Sequence, residues 1–373
     1  MRYCQNCIEP DTRPGQHFDE AGICVPCSYA LKKIPVDWDA RREELKGIVK
    51  WAKANKKGKY DCVLGVSGGK DSTTLAFFCR EMGMEPLLVS SVPVPELLTD
   101  IGAHNLANLA EHNFDIEMFN IAPEVLRQLM KKTFIEEGNF VRATEYALVS
   151  SMPRTAIRHG IPLICGGENP YVTVGSKAGS ANGDASNISQ MNTLQNGDLS
   201  HLYSNEITSK NLYFFRVPLA QELEAKGLRF IYLGYYLEQF DQVYNANFAI
   251  ERGMRIREGE AADPDKIGSH YPYYSLEDDV NIVHQMMKHV KLGFGFAAQQ
   301  LSLDIRVDRI TREKAIELAR RYDGNCDQKY IDILTHFFDM TNEEFWDVVN
   351  KHRNKDIWLK NDQDEWELKL KPE

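Results

Sequence analysis

The chain has 373 residues, 43% hydrophobic and 10% aromatic, enough to bury the core of one large domain or of two to three smaller ones. A formal net charge of −10 argues against a broad nucleic-acid surface. No run of 18 apolar residues reads as a membrane span, and MRYCQNC lacks the apolar stretch of a signal peptide, so a cytoplasmic protein with no membrane partner is expected.

Four of the eight cysteines come first: Cys4, Cys7, Cys24 and Cys27, spaced C-x2-C-x16-C-x2-C. In a reducing compartment this spacing reads as a tetrahedral thiolate zinc site, with iron–sulfur ligation as the competing chemistry. Four cysteine ligands leave no open position, so the zinc is expected to be structural. A module of residues 1–34 this small needs its metal to fold. Pro35-Val36-Asp37 reads as a link. RREELKGIVKWAKANKKGK then puts Leu45, Ile48, Val49 and Ala52 on one face of an amphipathic helix.

The stretch from Asp61 to Ser72, DCVLGVSGGKDS, reads as a buried strand, a glycine turn and a helix start. Gly68 and Gly69 let backbone N–H groups approach a ligand, and the helix that follows directs its positive dipole end there. Lys70 adds a point charge, and Ser67 and Ser72 add hydroxyls, so the turn is a phosphate cradle. The G-x-x-x-x-G-K-[ST] pattern does not fit: the glycine spacing is short and Asp71 stands where Ser or Thr should be. G-x-G-x-x-G is absent as well. Asp71 would repel a metal-free triphosphate, which gives it another role, such as capping the helix.

EPLLVSSVPV reads as a second strand, followed by a helix from Glu96 to Glu111, a third strand in DIEMFNIA, and helices over Pro123–Glu137 and Val141–His159. IPLICGGENP gives a fourth strand. Strands alternating with helices predict a parallel, doubly wound α/β sheet over residues 35–270, with ligands at the carboxyl ends of its strands. Ser67–Ser72, Ser90–Ser91 and Gly166–Asn169 fall there. Residues 172–211 are rich in Gly, Ser and Asn without apolar periodicity, a passive insertion or a lid over the nucleotide site. NLYFFRVPL and LRFIYLGYYL read as strands or buried segments, with Tyr235, Tyr236, Phe240 and Tyr244 as core or as an aromatic wall. Residues 271–373 read as helical, starting near Ser275 and including a Thr341-x-x-Glu344 capping box. His284 and His289 read as structural, and the tail from Asp362 is expected to fray.

SGGKDS resembles the SGGxDS signature of the PP-loop ATP pyrophosphatases. Together with the four-cysteine module opening YCQNCIEPDTRPG, with GGENP and with KLGFGFAAQQLSLDIR, it resembles the N-acetyl sugar amidotransferases of surface-polysaccharide and flagellin-sugar biosynthesis. FAAQQLS is less polar than that family's pattern. The resemblance implies adenylylation of an acetamido oxygen by ATP, release of pyrophosphate, and displacement of AMP by ammonia to leave an acetamidino sugar. It implies that Ser67, Gly68, Gly69, Lys70, Asp71 and Ser72, with Ser90, Gly166 and Gly167, hold ATP and pyrophosphate. Lys70, Asp71 and Glu168 are the implied catalytic residues, with Mg²⁺ as cofactor alongside zinc. Glu168 and Asn169 are candidates for the metal or the substrate amide, or for a cap. Arg154, Arg158 and Lys177 are candidates for an anionic sugar, possibly nucleotide-linked, or for a solvated face. No glutaminase cysteine motif is present, which implies a separate glutaminase and a barrel-shaped ammonia-channel subunit as partners. The competing function is PP-loop tRNA thiolation, which needs cysteines near the ATP site to carry sulfur. Here only Cys165, at the end of the fourth strand, is placed near the expected site, and it has no partner at x-x spacing.

Overall fold

The computed structural model describes residues 1–31, 36–175 and 179–372, with Val172 described by its backbone alone. The amino-terminal module is held by two antiparallel bridges, Tyr3–Pro10 and Phe18–Cys24, and ends in helix α1 (Val25–Leu31). Helix α2 (Trp38–Asn55) starts three residues before the predicted Arg41, because the Asp37 carboxylate accepts the Ala40 N–H at 2.8 Å and caps it. What reads as a linker aspartate is the first fixed point of the helix.

Strand β1 (Cys62–Gly65) leads through the loop into α3 (Lys70–Glu81). There follow β2 (Pro86–Ser91), α4 (Asp100–Glu111), β3 (Ile116–Phe119), α5 (Pro123–Glu137), α6 (Val141–His159), β4 (Leu163–Gly166), α7 (Pro170–Val174), α8 (Ala220–Ala225) and β5 (Arg229–Tyr232). All neighbouring pairs are parallel, in the order β3-β2-β1-β4-β5. One face packs Leu64 and Cys62 against Leu45, Leu75 and Leu109 of α2, α3 and α4. The other packs Val63, Val89 and Ile164 against Met152 and Ala156 of α6. Burial on both faces is why β1 and β2 read as unbroken apolar runs. The strand order reverses beside β1, so α3 begins at a topological switch point.

Helices α9 (Gln242–Ile250) and α10 (Pro264–Ile267) lead to α11 (Val280–Leu292), α12 (Phe296–Arg306), α13 (Arg312–Tyr322), α14 (Gln328–Phe338) and α15 (Asn342–His352). Helix α15 carries the predicted capping box, with Thr341 and Glu344 bonded to each other's backbone.

Four expectations are corrected. The helix expected from Glu96 starts at Asp100, where Thr99 caps it by accepting the Gly102 N–H. The helix expected from Ser275 starts at Val280. Residues 276–278 instead lie extended across the start of α4: Thr99 Oγ1 donates to Leu276 O, and Leu98 bridges Asp278. A Cβ on Gly102 would stand 2.6 Å from Glu277 Cα, so the crossing needs that glycine. Of the two readings of NLYFFRVPL the buried segment holds, with Leu212, Phe215 and Val217 in the core, and the strand does not: a short helical turn, Tyr213–Phe215, stands in its place. The expected frayed tail is a hairpin of β6 (Trp358–Lys360) and β7 (Trp366–Leu368), anchored where Trp358 Nε1 donates to Val290 O.

Residues 179–211 do not form a free-standing loop. Leu194, Leu202 and Ile207 are buried in the same core as Phe134, Tyr146 and Val283. Three short helical turns space these residues too irregularly for periodicity to reveal them.

Candidate active site

The loop after β1 turns because Gly68 takes φ +80°, and a Cβ there would meet the Asn105 carbonyl carbon at 2.8 Å and Leu106 N at 2.9 Å. The turn therefore needs glycine twice over, for its backbone conformation and for its contact with α4. Within the loop Ser72 Oγ donates to Gly69 O at 3.1 Å, while the Ser67 and Gly69 N–H groups make only long 3.4 Å contacts to serine hydroxyls. Those two weakly engaged donors, with the first turn of α3, make an arrangement that suits an anion.

Lys70 is the first residue of α3 and is only 5% exposed. Its Nζ lies 2.6 Å from Asp71 Oδ2 and 3.9 Å from the centre of the Tyr274 ring. Asp71 is not the helix cap; Gly69 holds that position. The other Asp71 oxygen, Oδ1, accepts Asn245 Nδ2 at 2.7 Å. Glu168 follows β4 on the opposite lip. The residue as a whole is exposed, while the protein on one side of its carboxyl includes Asp71 and Lys70. Desolvation and then the Asp71 carboxylate push it up to about 7, with Lys70 opposing. Two carboxylates flanking one lysine at a phosphate cradle can share a divalent cation, and this donor set suits Mg²⁺.

A cavity of about 420 Å³ opens beside the loop. Ser67, Ser90 and Ser91 line one end; Ile121, Leu126 and Met130 supply an apolar wall; Glu145, Glu277, Asp278 and His284 supply a polar one. Among the described residues no lysine or arginine lines it. Burial, then the neighbouring Glu277, pushes Asp278 up to about 7, and burial raises Glu145 and Glu277 as well.

Asn169 is buried and caps α7 by accepting the Tyr171 N–H, while its amide donates to Ser180 O and Asn182 O. It ties residues 180–182 to the sheet and does not turn to the cleft. Arg154 donates to Tyr213 O and lies 4.0 Å from the Tyr213 ring, and Arg158 pairs with Glu117. Neither lines the cavity. Lys177 lies outside the described residues. Gly166 and Gly167 end β4 beside Glu168, where Gly167 faces Leu75 of α3. Tyr235 stacks under Arg41, Tyr236 donates to Glu44 at 3.0 Å, and Phe240 packs on Gly234, so this aromatic run is packing. The residues that sequence reasoning misses are Asn245, Tyr273 and Tyr274. The aromatic run YPYYS before Leu276 was the available signal, but it has no period to interpret.

Cys4, Cys7, Cys24 and Cys27 are fully buried, and their sulfurs all lie within 4.8 Å of one another. Cys7 and Cys24 are 3.7 Å apart, close to the roughly 3.8 Å between two sulfurs that each lie about 2.3 Å from a tetrahedral zinc and far from a disulfide's roughly 2.0 Å. Four convergent thiols with no open position suit a structural zinc. Arg306 of α12 points Nε at Cys27 Sγ (3.5 Å) and Nη2 at Cys7 Sγ (3.7 Å), balancing the negative charge of a four-thiolate site. The module thereby docks on α12 and α13, sharing a core with Phe294, Leu301 and Ala315. Cys165 is not isolated: its thiol meets those of Cys62 and Cys79 within 4.8 Å. All three are 0% exposed, deep between the sheet and α3.

Residues 268–371 match a family model described as "LPS biosynthesis protein WbpG-like, C-terminal domain". No curated protein matches the chain. Among solved structures, the NH3-dependent NAD synthetase from Campylobacter jejuni shares 20% identity over 38% of this chain and 61%, under two thirds, of its own, with a TM-score of 0.28. A predicted subunit of tRNA methyltransferase from Methanocaldococcus jannaschii shares 14% identity over 61% of this chain and 88% of its own, with a TM-score of 0.30. The NMN synthetase from Francisella tularensis shares 14% over 60% and 98%, also at 0.30. Similarity this slight decides nothing about activity. The α/β fold rests on the parallel order β3-β2-β1-β4-β5 and on the loop that ends its central strand.

Proposed function

We propose that this chain, whose residues 268–371 form a WbpG-like C-terminal domain, is an ATP-dependent N-acetyl sugar amidotransferase of lipopolysaccharide biosynthesis. The observation that carries the reading is the SGGKDS cradle at the switch point of a parallel sheet, faced by Glu168 and closed by that C-terminal domain. In this reading the Ser67 and Gly69 N–H groups and the α3 N-terminus hold the β and γ phosphates. Lys70 offsets charge on the departing pyrophosphate. Mg²⁺, held by Asp71 and Glu168, would supply Lewis-acid polarisation of the phosphates. The cavity beside Ser90 has an apolar wall, acidic side chains and His284, and no lysine or arginine among the described residues, which suits an uncharged nucleoside.

An amide carbonyl is a weak electrophile with a poor leaving group. Attack of its oxygen on the α phosphorus breaks the α–β bond, releases pyrophosphate and makes that oxygen part of AMP. Ammonia then adds at the carbon, the C–O bond breaks, and AMP leaves with the amidine formed. Ammonia would come from a separate glutaminase through a barrel subunit. Transfer of sulfur to tRNA would need an exposed thiol by the loop, and Cys62, Cys79 and Cys165 are all fully buried.

The test is pyrophosphate release from Mg-ATP with ammonium chloride and a panel of free and nucleotide-linked acetamido sugars, the product read by mass spectrometry for exchange of an amide oxygen for NH. Lys70→Ala should lower the rate on the order of a hundredfold. Pyrophosphate release that requires tRNA and a sulfur donor would overturn the reading.

A further inference from the structure

Lys70 sits in a cage supplied by two segments distant in sequence. The Tyr274 ring covers its Nζ at 3.9 Å, and Tyr273 stands at 5.9 Å. The ring itself is fixed: Tyr274 OH donates to Gln242 Oε1 at 2.7 Å, and Gln242 Nε2 donates to Asp304 Oδ1 at 2.7 Å and to Gln300 O at 2.9 Å. Asp304 is 1% exposed, and its other oxygen accepts Tyr271 OH at 2.7 Å. One turn along α9 from Gln242, Asn245 holds Asp71 at 2.7 Å and is itself fully buried. Residues three apart share a helix face, so one face of α9 anchors both the partner of Lys70 and the ring above it.

A lysine stem has four rotatable bonds and is strongly hydrated, so a cradle lysine left free spends much of its time elsewhere. We propose that Tyr274 is a positioning residue for Lys70, locked through Gln242 to Asp304 of α12, and that this lock is how the C-terminal domain completes the ATP site. The aromatic face excludes water from one side of the ammonium and favours its charge. Asn245 leaves Asp71 one oxygen for Lys70. The role in turnover rests on the function proposed above; the confinement of Lys70 does not.

Two measurements separate these. The first is acylation of Lys70 by an N-hydroxysuccinimide ester in the zinc-loaded full chain, read by mass spectrometry against exposed Lys210. Tyr274→Leu should raise Lys70 labelling about fivefold, the size of one cation–π contact; unchanged labelling overturns the proposal. The second is pyrophosphate release. Tyr274→Leu should lower kcat about tenfold, with KM for ATP moving less than about twofold, because the loss lies in transition-state charge stabilisation and not in binding. In a Lys70→Ala background the same change should have no further effect. An equal loss in both backgrounds shows that Tyr274 acts elsewhere and overturns the proposal. Should Tyr274→Leu not fold, Tyr274→Phe and Gln242→Leu break the same hydroxyl bond; their effects should be smaller, alike and non-additive, and additive effects overturn the lock. If the wild type releases no pyrophosphate with any acceptor while labelling rises as expected, the amidotransferase reading fails and the cage stands.

Discussion

Gly68→Ala would place a methyl against the Asn105–Leu106 backbone while forcing an L-residue to φ +80°. The backbone conformation alone costs about 1–2 kcal/mol, so a denaturant titration should show at least that loss, and pyrophosphate release should fall to background. Asp278 permits a signed pH prediction. An unfolded aspartate titrates near 4, whereas the folded one, desolvated and beside Glu277, is pushed up to about 7. Between those values the folded state holds the extra proton, so this group's contribution to stability is full below about pH 4 and declines as pH rises to about 7. Asp278→Asn should therefore raise the melting temperature relative to wild type at pH 8 and leave it unchanged at pH 4. A gain of equal size at both values would show that the carboxyl's environment is not the cause. The side chain is half-buried, so the direction of the change is the testable quantity.

The amino-terminal module has a metal-centred core. Its four cysteines and Ile8 are buried in one cluster with Phe294, Leu301 and Ala315 of the C-terminal region. Metal analysis should find one zinc per chain, absent in Cys24→Ser. That variant should be cleaved by protease within residues 1–31 at a rate the wild type does not show, because the metal supplies most of the module's folding energy. Arg306→Met should keep the zinc but release it to a competing chelator about 10–100-fold more readily, having lost the cation that faces the sulfurs. In α4, the signal that places the start is Thr99. Its hydroxyl both caps the helix and donates to Leu276 O, so one residue fixes the helix and the segment leading from Tyr274.

Over the whole molecule the three segments read as domains share their cores. Phe134 of α5 stacks on Phe345 of α15 and contacts Phe338 of α14, and the same cluster takes in Leu194 and Leu202 of the insertion. A chain truncated after Ile267 should consequently be insoluble or molten, with exposed apolar surface that binds a hydrophobic dye; a cooperative melt for residues 1–267 would contradict this. The sequence by itself determined the parts governed by local rules. These were the alternating strands and helices, the glycine turn from Ser67 to Ser72, the four-cysteine spacing and the Thr341 capping box. Each depends on residues within a turn or a strand of one another, so its physics is written in consecutive positions. Tertiary structure alone decided that Tyr274 meets Lys70 and Asn245 meets Asp71, that Asp304 holds Gln242 behind Tyr274, that Asn169 and Arg154 serve packing, and that Cys165 joins Cys62 and Cys79. Those contacts join segments up to more than two hundred residues apart. Which side chains meet there depends on helix packing and on close approaches such as Gly102 with Glu277, and no period or spacing encodes either.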